Sequence, residues 1–70
     1  MTLDEAEKAI EIWRKYEVTE PGPDRTMFLY GAEHDEVFGG PNPTVVSAED
    51  IAALDVLGWF PDEDCFRTFV

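Results

Sequence analysis

Apolar side chains at Leu3, Ala6, Ile10, Trp13 and Tyr16 recur at intervals of three and four, the spacing that gathers them on one face of an α-helix. Ala9 and Ile12 widen that face, and the pattern predicts a helix over residues 2–17. Thr2 followed by Glu5 is a capping-box pair. Asp4, Glu5 and Glu7 lie near the positive pole of this helix, and Arg14 and Lys15 near the negative one. Asp4 with Lys8 and Glu11 with Lys15 have the spacing of favourable pairs one turn apart. Pro21, Gly22 and Pro23 cannot continue a helix, so residues 18–25 are expected to form a surface connection.

The period then changes. Thr26 to Tyr30 is an apolar run rich in strand formers and Glu36 to Phe38 is a shorter one, which predicts a hairpin with residues 31–35 as its connection. Gly31 is the candidate for a positive φ in that connection. Residues 39–43, Gly-Gly-Pro-Asn-Pro, are expected to end the second strand and cross the surface. Ser47 with Asp50 marks the start of a second helix, and Val46 before the cap can pack on Ile51. Ile51, Leu54 and Leu57 supply its apolar stripe. Gly58 stands where a left-handed residue would end it and return Trp59 towards Leu54. After a turn over 61–64, the tail alternates Cys65, Arg67 and Phe69 with Phe66, Thr68 and Val70, as a strand would. The order is αββαβ. It predicts an α+β fold in which a three-stranded antiparallel sheet carries its helices on one face.

Seventy residues hold one core, so residues 1–70 read as a single domain. One cysteine, Cys65, excludes an intrachain disulfide and fits a reducing, cytoplasmic setting. Aromatics must therefore supply much of the core, each large ring burying about 150–250 Å² when enclosed. Trp13, Trp59 and Phe66 are expected inside, leaving Phe38, Phe60 and Phe69 for contacts. No window approaches the roughly 18 apolar residues of a membrane span, and the N-terminus lacks the pattern of a secretory signal.

Charge narrows the function. Five basic residues against 16 acidic ones give a formal charge of −11, beyond the magnitude of about 2–8 that keeps a small domain soluble. Such a chain repels nucleic acid and anionic membranes and attracts basic protein surfaces. The acidic stretches lack the grammar of a calcium loop, and zinc would have to recruit His34, Cys65 and distant carboxylates without a spacing signature. Nucleophilic catalysis would need Cys65 activated by the only histidine, His34, and nothing in the sequence joins them. No cofactor, metal or catalytic residue is expected.

The acids themselves are the functional lead. Same-face residues of a strand repeat every ~6.6–6.8 Å, about twice the ~3.4 Å axial spacing of phosphates along one DNA strand. Glu33, Asp35 and Glu36, together with Asp62, Glu63 and Asp64, could present such a row, and Glu7 with Glu11 form a helical pair. The expected partner is a basic nucleic-acid-binding protein engaged by a monomer, with neither nucleic acid nor membrane bound directly. A competing reading makes the charge a solubility device and gives the contact to an aromatic patch around Phe60 and Phe69, as in an adaptor module.

The segments YGAEHDEVFGGP and AALDVLGWFPDEDCFRTFV, about half the chain, resemble parts of small acidic proteins of phages and mobile elements, the anti-CRISPR and anti-restriction inhibitors. The resemblance implies a viral inhibitor acting in the host cytoplasm by occupying the nucleic-acid channel of a CRISPR–Cas complex, with a type I Cas subunit as candidate target. It carries no individual binding residue over to this chain.

Overall fold

A computed structural model describes residues 1–69. The first helix, α1, spans Leu3–Arg14. Its capping box is reciprocal: the Glu5 amide donates to the Thr2 hydroxyl at 3.1 Å, and the Thr2 amide donates to the Glu5 carboxylate at 2.8 Å. The helix stops short of residue 17, its last amides closing on Ile12 and Trp13 in three-residue steps where Lys15 and Tyr16 reach across to the second helix. Ala9 and Trp13 define the buried line. Leu3, expected on that face, is 89% exposed. At 3.6 residues per turn it points about 100° away from the Ala9–Trp13 direction.

Strands β1 (Met27–Glu33) and β2 (Glu36–Gly40) form the hairpin. Glu33 pairs with Glu36, so the turn is His34-Asp35 and not a five-residue connection. His34, at φ 54°, takes the positive φ expected of Gly31, a conformation for which His is better suited than most residues. Gly31, Ala32 and Glu33 are poor strand formers by themselves, and pairing with β2 overrides their preference. The register runs from Glu33↔Glu36 to Gly31↔Phe38 and resumes at Met27↔Gly40, leaving Phe28, Leu29 and Tyr30 without partners.

Gly39 explains the irregularity. A Cβ there would lie 1.7 Å from the Phe28 carbonyl oxygen, so only glycine allows β1 to come this close. A Cβ at Gly40 would lie 2.7 Å from Cε2 of Trp13. The strand ends at Gly40, within the expected stretch, but Gly39, Gly40 and Pro41 are buried instead of crossing the surface. A 3₁₀ turn, Pro43–Val45, follows, opened by Asn42, whose side chain accepts from the Thr44 amide.

The second helix, α2, spans Ala48–Val56, with Ser47 as its cap. Its end is a Schellman motif: Gly58, at φ 92°, donates to the Asp55 carbonyl at 3.0 Å and Trp59 to the Leu54 carbonyl at 2.9 Å. The chain then forms an additional short strand, β3 (Phe60–Pro61), before β4 (Phe66–Phe69). The sheet therefore has four antiparallel strands in the order β1-β2-β4-β3 rather than three. Pro61 is tolerated because β3 is an edge. Val70, assigned to the terminal strand by its alternation, lies outside the described residues.

Both helices contribute to one core of Ala9, Trp13, Val46, Leu54, Trp59 and Phe66. Trp13 is its centre, edge-on to Trp59 with ring centroids 4.6 Å apart and 6.1 Å from Phe66. Such aromatic pairs add about 0.5–1.5 kcal/mol each beyond their buried area.

Candidate functional site

Alternation along β4 divides the sheet into two faces. Phe66 and Thr68 are buried on the helix side, so Arg67 and Phe69 project from the other. Residues paired across strands share a face, and the register adds Glu36 and Phe38 from β2, Phe60 from β3 and Glu33 from β1. At one edge, Phe60 and Phe69 border a hollow of about 220 Å³ together with Met1 and Glu5 at the start of α1 and Leu57 at the end of α2. Phe60 and Phe69 lie 6.4 Å apart between ring centroids, and the Arg67 guanidinium sits 5.9 Å from the centre of the Phe69 ring. Phe69 is half exposed, and Phe38 and Phe60 are partly so. The Arg67 head group also reaches Glu36 at 3.7 Å. A cation at the guanidinium's distance from the ring is attracted to it by about 0.5–1 kcal/mol at an exposed site.

The eight acidic residues singled out in the sequence fall into three groups. Glu33, Asp35 and Glu36 surround the β1–β2 turn, with Glu33 directly opposite Glu36. Asp62, Glu63 and Asp64 occupy the β3–β4 turn. Because Glu36 pairs with Phe69 and Gly39 with Phe66, the two turns lie at opposite ends of the sheet. Glu7 and Glu11 are exposed on α1. These groups do not make one continuous row. Two of them bracket the aromatic face.

The same topology separates His34, at the hairpin tip, from Cys65, at the start of β4. Burial, followed by the nearby Asp62 and Asp64 charges, pushes the Cys65 thiol above its ordinary pKa, so it is a thiol and not a thiolate at neutral pH. Among the described residues, no group of three or more His, Cys, Asp or Glu side chains is placed to hold a metal ion. No helix among the described residues is long and apolar enough to cross a membrane.

One polar cluster lies away from these surfaces. Asp50, in the first turn of α2, accepts hydrogen bonds from the Tyr16 hydroxyl and from the Lys15 ammonium at 2.9 Å. Tyr16 and then Lys15 hold the Asp50 carboxyl below its ordinary pKa, and Asp50 in turn raises that of Lys15. Ser47 accepts from the Asp50 amide and meets the Tyr16 hydroxyl at 3.2 Å. These groups cap α2 and clamp it to the end of α1. Lys15 thus leaves the expected Glu11 pairing for a partner on another helix. The Ser47 cap was legible in the sequence, but the expected box with Asp50 is only half made: the Ser47 amide donates to the Tyr16 hydroxyl at 3.3 Å, and the Asp50 carboxylate serves Tyr16 and Lys15, more than 30 residues away.

Two further hollows adjoin β1. One of about 230 Å³ lies between α1 and β1, beside Ile10, Trp13, Met27 and Phe28. The other, of about 720 Å³, is lined by Tyr16, Tyr30, Asp24, Asn42, Asp64 and Cys65 among others. The sequence pattern had assigned β1 to the sheet and said nothing of these clefts. Comparison of the chain with known proteins finds no matching family, no matching curated protein and no matching solved structure.

Proposed function

We propose that the chain is a non-catalytic binding module that seats a basic protein surface on the open face of its sheet. The observation that supports this reading is the partly exposed aromatic group Phe38, Phe60 and Phe69 lying between two acidic turns. Exposed aromatic rings supply the contact area that anchors an interface, while surrounding charges steer the encounter and fix its register. A net charge of −11 selects a cationic partner.

A narrower reading makes the partner the nucleic-acid channel of a CRISPR–Cas complex, with the acids standing in for phosphates. Glu33 opposite Glu36 favours it: like charges directly across a hairpin are destabilising, and of the two only Glu36 has an ion-pair partner, Arg67, among the described residues. A row of Lys or Arg on the partner would relieve that repulsion.

Affinity capture from a bacterial lysate carrying CRISPR and restriction systems tests both. The expected catch is a basic nucleic-acid-binding protein, released by high salt and by F60S/F69S, and retained equally by the wild type and F60S/F69S if the open-face reading is wrong. Displacement by duplex DNA, together with loss of binding in E33Q/D35N/E36Q, is expected for the phosphate mimic; capture unaffected by either leaves only the general binding module.

A further inference from the structure

We infer that the outer strand β1 is a second docking surface, one that takes a segment of a basic protein in which apolar residues alternate with Lys or Arg. Met27, Phe28, Leu29 and Tyr30 are 45–51% exposed, four large apolar side chains in succession. In a strand with one covered face, every second side chain should be buried. Here all seven residues of β1 are exposed, because the register shift removes Phe28, Leu29 and Tyr30 from the ladder and no element lies beyond this edge of the sheet. Edge strands are ordinarily blunted by Lys, Pro or short length. This one carries neither Lys nor Pro.

The surroundings select the occupant. Met27 and Phe28 border the smaller hollow, whereas Tyr30 borders the larger one, where Asp24 and Asp64 supply carboxylates. Between Glu17 and Asp35 the chain has five carboxylates and a single Arg or Lys, Arg25, while Arg14, which borders the smaller hollow, is paired with Glu17 at 3.6 Å. Apolar anchors would enter beside Met27 and Phe28, and a cationic side chain would reach Asp24 and Asp64. A second copy would fit the apolar strip alone, but each copy brings a charge of −11 and the same acidic border. The surface is distinct from the open sheet face, so a protein using both would join two basic elements.

The test titrates the ¹⁵N-labelled chain with a synthetic peptide of alternating Lys and Val, and in parallel with its Glu and Val counterpart. The Lys peptide is expected to shift amides from Asp24 to Ala32 and around Asp64, with no response to the Glu peptide. L29S/Y30S should weaken binding about tenfold, a loss of about 1.4 kcal/mol. The exposed pair D24N/D64N, which leaves the apolar strip intact, should weaken it as well and steepen no melting curve. Several results would overturn the inference: no binding of the Lys peptide, equal binding of the Glu peptide, or shifts confined to Phe38, Phe60 and Phe69, the last assigning the peptide to the open face instead. A dimer in sedimentation equilibrium that L29S dissolves would assign the strip to a second copy.

Discussion

Residues 47–59 and residues 27–33 are comparably apolar, yet the structure treats them in opposite ways. In the first, Ser47 caps α2, Gly58 ends it, and Leu54 and Trp59 meet in the core with no exposed surface. In the second, Met27 to Tyr30 lie on an edge with about half their surface in water. Hydrophobicity is the same kind of signal in both. Burial follows only where the backbone ends its element at the right place and a neighbouring layer is present to receive the side chain. α2 closes its own amides and carbonyls and returns the chain over itself, whereas β1 has a partner on one side only and loses the ladder for three residues.

The contrast can be broken most severely at Gly39, where the two regions of the sheet touch. G39A places a methyl group against the Phe28 carbonyl and should cost more than about 4 kcal/mol, a large part of the roughly 3.5–10 kcal/mol expected for a chain of this size. Loss of cooperative urea unfolding, or its midpoint falling near zero denaturant, is the expected result. A smaller but sharper comparison pairs L54A with L29A. The first empties a fully buried site and should cost about 2–5 kcal/mol. The second removes a half-exposed side chain and should cost less than about 1 kcal/mol. Urea midpoints measured side by side check the difference, and equal losses would mean that β1 is as closely packed as α2.

The clamp between α1 and α2 should be legible in acid. Asp50 has a lower pKa folded than unfolded, so its contribution is present above the ordinary Asp value of about 3.9 and is lost as the pH falls through the folded value. D50N should lower stability at pH 6 and flatten the fall of stability below about pH 4. Melting temperatures across that range measure it. The smallest effect concerns Cys65, whose raised pKa should make its alkylation by iodoacetamide at pH 7.5 slower than that of free cysteine, with the two rates converging as denaturant is added.

The aromatic interior was legible because Trp13, Trp59 and Phe66 occupy the inward phase of their own helix, turn and strand. The acidic residues were legible too, but only as a list along the chain. Their separation into groups at opposite ends of the sheet depends on strand order and register, which place Glu36 beside Phe69 and Gly39 beside Phe66 across 27–33 residues of sequence. Phe60 and Phe69 stand out in the sequence as contact residues, whereas the strip from Met27 to Tyr30 reads there only as the first strand of a hairpin.

Short-range physics in this sequence determined the elements with strong local signals: the box at Thr2 and Glu5, the cap at Ser47, the left-handed stop at Gly58 and the α+β order. Tertiary structure alone decided the hairpin turn at His34-Asp35, the extra strand at Phe60–Pro61, the burial of the two adjacent glycines and the exposure of β1. The reason is one of range. Caps and helical periods are fixed by residues within a turn of each other, whereas register, close approach and coverage are properties of two segments that meet only when the chain has folded.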